Sequence, residues 1–279
     1  MDEIKRIVRL ALGEDVGSGD ATSLATIPED VTAKALMVAR EPLIISGLEV
    51  AGTVFHEILP ELQVRLLEKD GTRASEGAVL MEIEGSARAI LTGERVALNF
   101  VQRLSGVATM TSLFVDAVRG TNAAILDTRK TTPGLRLLEK YAVACGDGKN
   151  HRIGLFDMVL IKDNHLVAVR DEKPNAIAAA VRRAREKFPD LKVEVEADTL
   201  EQFAQALDAG ADIVLLDNMT LEELRAAVKQ NNGRAKLEAS GGVNLQTVRG
   251  IAETGVDYIS VGALTHSARA MDIALDFHF

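Results

Sequence analysis

The sequence predicts an α/β protein in which a mixed N-terminal domain precedes an incomplete, TIM-like β/α barrel. Three observations predict it. The length, 279 residues, suits two domains or one large barrel. Short β-branched runs begin near Ile125, Met158, Val193, Ile213, Leu237 and Tyr258, the last four about 20 residues apart, with helical patterns between them. Each run is apolar until its end and then turns polar, as strands do when their C-terminal ends share one polar site.

Taken in order, Ile4 to Leu12 carries apolar Ile4, Ile7, Val8, Ala11 and Leu12 at helical spacing and stops at Gly13. A Gly/Asp loop follows at 17–20. Strands are expected at 33–40 and 43–46, a helix at 47–59 stopped before Pro60, and strand segments at 64–69 and 78–84 beside the turn signals Asp70-Gly71 and Glu76-Gly77. A long helix is expected from Thr92, as N-cap, to about Val118, with Glu94 favoured at the positive end of its dipole. Helices are then expected at 175–188, 200–209, 221–230 and 245–253. Six strands are clear, and Leu166–Val169 offers a seventh. The apolar tail from Met271 to Phe279 is expected to dock on the first domain. The division is thus 1–112 with tail 267–279, and 113–266 for the barrel.

Composition narrows the function classes. Hydrophobic residues make up 47% and charged residues 26%, which gives a substantial core and no room for long disordered tails. The lone cysteine, Cys145, rules out an intrachain disulfide and points to a reducing cytoplasm. No apolar run is long enough to span a bilayer, and the charged N-terminus does not read as a signal peptide. A net charge of −9 disfavours nucleic acid. Yet from Arg129 to Lys162 seven Lys/Arg stand against three Asp/Glu, so an acidic chain concentrates positive charge where a small anion could bind.

The strand ends carry Asp127-Thr128-Arg129-Lys130, Lys162-Asp-Asn-His165, Glu194 with Glu196, Asp217-Asn218, Glu238-Ala-Ser240-Gly241-Gly242 and Gly262-Ala263. The glycines of the last two let backbone N–H groups approach a phosphate, although a tight turn alone could also require them. Arg129, Lys130, His151, Arg152 and Lys162, with Lys140 and Lys149 nearby, are too many cations for one monoanion; they suit ligands bearing several phosphates and carboxylates. Glu196 and Asp217, with Glu194, Asp127 and Glu238 in reserve, could hold Mg²⁺, bind ribose hydroxyls or stabilise a developing positive sugar centre. The five histidines have no metal-ligand spacing, and no GxGxxG or Walker sequence is present.

At these residues the chain resembles the quinolinate phosphoribosyltransferase family. The matching text includes Glu14-Asp-Val-Gly-Ser-Gly-Asp20, Asn99-Phe-Val-Gln-Arg-Leu-Ser-Gly-Val-Ala-Thr109, Asp127-Thr-Arg-Lys-Thr-Thr-Pro-Gly-Leu-Arg136, His151-Arg-Ile-Gly-Leu155, Leu160-Ile-Lys-Asp-Asn-His165, Val193-Glu-Val-Glu196, Leu215-Leu-Asp-Asn218, Glu238-Ala-Ser-Gly-Gly242 and Ser260-Val-Gly262. The resemblance implies an N-terminal α/β sandwich domain, a seven-stranded barrel, and transfer of phosphoribosyl from phosphoribosyl pyrophosphate (PRPP) to quinolinate with decarboxylation. It implies a homodimer in which Arg103 crosses to the partner's site to bind quinolinate, with assembly beyond the dimer left open. Thr128, Arg129, Lys130, His151, Arg152 and Lys162 would form the cationic pocket. Glu196 and Asp217 would lie by the ribose and an Mg²⁺ carried with the pyrophosphate, and Ser240, Gly241, Gly242 and Gly262 would hold the 5-phosphate. Lys130, Lys162, Glu196 and Asp217 would act in catalysis, and the implied reaction needs no organic cofactor, in agreement with the absence of a GxGxxG or Walker sequence. Asp147, between Gly146 and Gly148, departs from the family's glycine run. A Schiff-base aldolase using Lys162, a phosphoribosyltransferase for another ring, and a non-catalytic phosphosugar binder are the rival readings.

Overall fold

A computed structural model describes residues 2–278; Met1 and Phe279, the latter the end of the expected tail segment, lie outside the described residues. The chain forms two compact units. The first takes in the chain up to Ser112, Thr131–Asp147 and the chain from Ser267; the second takes in Leu113–Lys130 and Gly148–His266.

The first unit contains helices α1 (Asp2–Asp15) and α2 (Ala21–Thr26), strands β1 (Thr32–Ala39) and β2 (Leu43–Ile44), helix α3 (Leu48–Ile58), strands β3 (Gln63–Leu66), β4 (Arg73–Ala74) and β5 (Val79–Ser86), and most of the long helix α4 (Ala87–Ala117). Helix α5 (Arg136–Cys145) and the last strand, β12 (Ile273–His278), also belong to it. Its main sheet runs β12-β1-β5-β3, so the tail is a strand, antiparallel to β1 from Lys34↔His278 to Ala39↔Ile273. Ala35, Met37, Met81 and Ile83 are fully buried along β1 and β5. On α4, Ile90, Ala97, Val101, Leu104 and Ala108 recur at helical spacing and are buried, forming one apolar stripe.

Two local expectations are corrected here, and the turn at Asp147 is accounted for. Helix α4 starts at Ala87, directly after β5; Ser86 Oγ accepts from Ala89 N at 3.4 Å, while Thr92 lies inside the helix and donates back to Arg88 O at 2.8 Å. Helix α5 is absent from the expected elements because Glu139 and Lys140 sit on its buried face, which breaks the apolar period. Asp147 takes φ +64, the left-handed conformation a glycine would adopt; the short Asp side chain tolerates that region, so the departure from the glycine run keeps the turn.

Gly106 on α4 has no room for a side chain. A Cβ there would lie 1.9 Å from the Arg269 carbonyl oxygen, an immovable backbone atom. Gly106→Ala should destabilise the fold by about 1–3 kcal/mol or more, read as a lowered midpoint in urea; an unchanged midpoint would refute this close approach.

The second unit is built on β6 (Ala124–Leu126), β7 (Val159–Ile161), helix α6 (Asp163–Val167), helix α7 (Ala176–Lys187), β8 (Val193–Ala197), α8 (Leu200–Asp208), β9 (Ile213–Asp217), α9 (Leu221–Asn231), β10 (Lys236–Ser240), α10 (Val248–Ala252), β11 (Tyr258–Ser260) and α11 (Ala263–His266). Its parallel sheet runs β6-β11-β10-β9-β8-β7. The first strand therefore pairs with the last, which is the cyclic order a β/α barrel requires and a doubly wound sheet lacks. Six strands are present among the described residues, and Lys149 adds a single bridge to Leu126. The seventh strand considered at Leu166–Val169 is not one. The Lys162 N–H donates to His165 Nδ1 at 2.9 Å, and the chain winds into α6 instead. Buried Ile177, Val181, Phe203, Ala206, Leu224, Ala227 and Val248 give helices α7 to α10 their apolar faces, and Val193, Val195, Val214, Leu216, Leu237 and Ile259 fill alternate strand positions.

Candidate active site

The other strand positions of the second unit carry the chemistry. Strand side chains alternate, so residues two apart share a face. Leu160 and Lys162, Glu194 and Glu196, Leu215 and Asp217, Glu238 and Ser240, and Ser260 fall on one face by this rule. The parallel register sets Glu196 and Glu238 on either side of Leu215, and Ser240 beside Asp217. At the C-terminal ends these side chains enclose a cavity of about 300 Å³. Its walls are Thr128, Arg129 and Lys130 after β6; Leu160 and Lys162 from β7; Glu196; Leu215 and Asp217; Glu238 and Ser240; Ser260; and His151 with Arg152 from the loop before β7. Every one of the six strands contributes a wall residue at or near its C-terminal end.

Ten of the residues named from the sequence are therefore wall residues: Thr128, Arg129, Lys130, His151, Arg152, Lys162, Glu196, Asp217 and Ser240, with Glu238 from the reserve set. Gly241, Gly242 and Gly262 stand in the adjoining turns. Gly241 and Gly242 have φ +96 and +58, and a Cβ on Gly262 would come 3.1 Å from Lys130 Cδ. The structure adds Leu160, Leu215 and Ser260 to the expected set. Ser260 ends its strand as Ser240 does, and that shared position is the signal that marks it in the sequence. Lys149 bridges β6, and Lys140 is buried on α5 of the first unit; neither lines the cavity.

The electrostatics divide the cavity. Arg152 is partly buried, and burial together with the neighbouring Arg129 charge lowers its pKa. Two guanidiniums that repel one another in a half-desolvated wall are relieved by a dianion. Lys162 is ion-paired with Glu196. Thr128 Oγ1 accepts from Lys130 N at 3.0 Å, and Thr265 donates to the Lys130 carbonyl at 2.8 Å, fixing the backbone that carries both cations.

Beneath lies a buried acidic group that the scattered histidines conceal. His151 Nε2 is 3.1 Å from Glu194 and 3.5 Å from Glu238, its Nδ1 accepts from Arg152 N at 2.7 Å, and its backbone N–H donates to buried Asp127 at 2.8 Å. Ser260 donates to Glu238. The ligating atoms of His151, Glu194 and Glu238 lie within 4.8 Å of one another, a cluster around a histidine that no spacing in the sequence marks. Burial raises Glu194 to about 7, and burial plus the charge of Glu194 raises Glu238 to about 8. Above pH 4.5 the unfolded chain has released protons that the folded pair retains, so this pair's stability contribution is full in acid and is lost as pH rises through about 7 and 8. The melting temperature of Glu238→Gln should accordingly decline less than that of the parent between pH of about 5 and 8; parallel declines would contradict it.

Arg103 belongs to the first unit. Its guanidinium donates to Glu139 at 2.8 Å and to the Ala268 carbonyl at 2.7 Å, and it lines a second cavity of about 250 Å³ with Glu14, Asp15, Asn99, Phe100 and Leu135. Burial raises the Cys145 thiol, which makes it a poor nucleophile. No helix among the described residues is long and apolar enough to cross a membrane.

Comparison with known proteins places this arrangement. Residues 20–105 match the family model for the quinolinate phosphoribosyl transferase N-terminal domain, and residues 107–276 match that for the C-terminal domain. The chain is 46% identical to the nicotinate-nucleotide pyrophosphorylase [carboxylating] of Mycobacterium leprae, covering 99% of this chain and 97% of that one. It is also 46% identical to the chloroplastic enzyme of that name from Oryza sativa, covering 98% and 77%. The solved nicotinate-nucleotide pyrophosphorylase from Francisella tularensis superposes with a TM-score of 0.93 at 42% identity, covering 99% of this chain and 96% of that one.

Proposed function

The chain belongs to the quinolinate phosphoribosyltransferase family, and on that premise we propose that it transfers phosphoribosyl from PRPP to quinolinate, giving nicotinate mononucleotide, pyrophosphate and CO₂ in de novo NAD biosynthesis. One observation carries the reading: Arg129, Arg152, Lys130 and Lys162 converge with two serines and the acidic side chains of Glu196, Asp217 and Glu238 in one cavity at the strand ends. The cations suit a dicarboxylate beside a pyrophosphate, and the serine and glycine turns suit a 5-phosphate.

The pyridine nitrogen attacks the anomeric carbon as the bond to pyrophosphate breaks. Negative charge grows on the leaving oxygens, where Lys130 and Lys162 neutralise it; positive charge grows on the ribose, facing Glu196 and Asp217. Those two carboxylates present hard oxygen donors to the cavity and fit Mg²⁺, which would neutralise the departing pyrophosphate when bound with it. The ring becomes a pyridinium, so the adjacent carboxylate leaves as CO₂ and its electron pair stays on a ring carbon stabilised by the positive nitrogen. A proton then closes that position. Arg129 and Arg152 hold the two carboxylates, and the single cysteine supports a cytoplasmic setting. The direct test offers a series of pyridine carboxylates with PRPP and follows pyrophosphate: quinolinate should give the highest kcat/KM, and a better substrate with another ring would overturn the reading.

Arg103 is the residue we assign to a partner copy's cavity in a homodimer. It is held in position by Glu139 yet partly exposed, as a donated guanidinium must be. Arg103→Ala and Lys162→Ala chains should each be nearly inactive but regain activity when mixed, since one cavity in each heterodimer is then intact. Verified heterodimers without activity would exclude the shared site.

A further inference from the structure

Asn218 follows Asp217 directly and has φ +54, a left-handed conformation that Asn tolerates better than most residues. Its backbone N–H donates to the Ser240 carbonyl at 2.9 Å. Its side-chain Nδ2 donates to Asp217 Oδ2 at 2.7 Å. Because only the NH₂ end of an amide can face a carboxylate, the orientation is settled, and Oδ1 points the other way. There it fills the space over Gly241: a Cβ on that glycine would be 2.1 Å from Asn218 Oδ1. Gly241 itself has φ +96. One side chain thus touches the carboxylate assigned to the ribose and the turn assigned to the 5-phosphate.

We propose that Asn218 is a positioning residue for PRPP: it orients the Asp217 carboxylate and fixes it relative to the Ser240-Gly241-Gly242 turn, so that the ribose and 5-phosphate subsites stay at one spacing. This rests on the phosphoribosyl-transfer reading above. Asn218 lies outside the cavity wall, so it acts through Asp217 and Gly241 rather than on substrate. Quinolinate recognition, assigned to Arg129 and Arg152, does not pass through it.

Two variants test the proposal. Asn218→Gly keeps the left-handed backbone and the bond to Ser240 at no conformational cost and removes only the side chain. Asn218→Asp keeps the volume over Gly241 and tolerates the same backbone, but presents a like charge to Asp217. In folded protein, both should raise the KM for PRPP roughly tenfold, the loss expected of one charge-assisted hydrogen bond. The KM for quinolinate should stay near that of the parent, and the affinity for ribose 5-phosphate, measured by calorimetry, should weaken in parallel with the KM for PRPP. A role in packing alone predicts that Asn218→Asp behaves as the parent, and that result would overturn the proposal. Unchanged ribose 5-phosphate affinity in Asn218→Gly would overturn it too, as would a parent chain that does not bind ribose 5-phosphate. The binding arm needs no turnover: if the parent binds ribose 5-phosphate but does not consume quinolinate, the functional reading fails while the role of Asn218 is still decided.

Discussion

Lys162→Ala should fold and lose about 10²–10³ in kcat/KM, the usual cost of removing one group that meets developing charge in a closed site. The side chain emerges at the end of β7 after a buried Ile161, is ion-paired with Glu196, and shares the cavity with Lys130, Arg129 and Arg152. Its pair with Glu196 is partly exposed, so stability should change little, by about 0–1 kcal/mol. The loss should therefore appear in turnover and not in the melting curve. Lys162→Arg should recover only part of the activity, because a planar fork does not replace a compact point charge. The pairing also argues against the Schiff-base aldolase: the ion pair with Glu196 occupies the amine that would have to attack a carbonyl. Borohydride should trap no carbonyl substrate on this residue. An active Lys162→Ala chain would remove the residue from the mechanism.

Nicotinate should be a far poorer substrate than quinolinate. It offers one carboxylate where the cavity offers two neighbouring guanidiniums, and Arg152 already feels burial and the charge of Arg129. A monoanion leaves much of the repulsion between the two partly buried guanidiniums unrelieved, at a cost of about 3–5 kcal/mol. That corresponds to a preference of about 10²–10³ or more in kcat/KM. Arg152→Leu should narrow the gap by harming quinolinate more than nicotinate. Comparable turnover of the two acids by the parent chain would contradict the assignment of the arginine pair.

Much of the second unit is legible in the sequence because its signals are local. Each strand from β6 to β11 is short and carries a polar residue at or next to its C-terminal end, and that ending marks its contribution to the cavity. The period of two is enough to set Glu194 and Glu196 on one face. What escapes depends on tertiary packing. Helix α5 hides Glu139 and Lys140 on its buried face, so its charges read as surface. The start of α4 is set by its junction with β5, and Thr92 only resembles a cap. The His151–Glu194–Glu238 cluster joins three distant positions, and no spacing rule connects them. Asn218 is visible as a strand-end residue, but its role depends on a left-handed backbone that the sequence does not announce.

The most direct measurement uses quinolinate labelled in the carboxylate next to the ring nitrogen, together with PRPP. The account predicts one labelled CO₂ and one pyrophosphate for each nicotinate mononucleotide formed, with all three slowed together and to the same extent in Lys162→Ala. Pyrophosphate released while the label stays on the ring product, or no pyrophosphate at all, would contradict it.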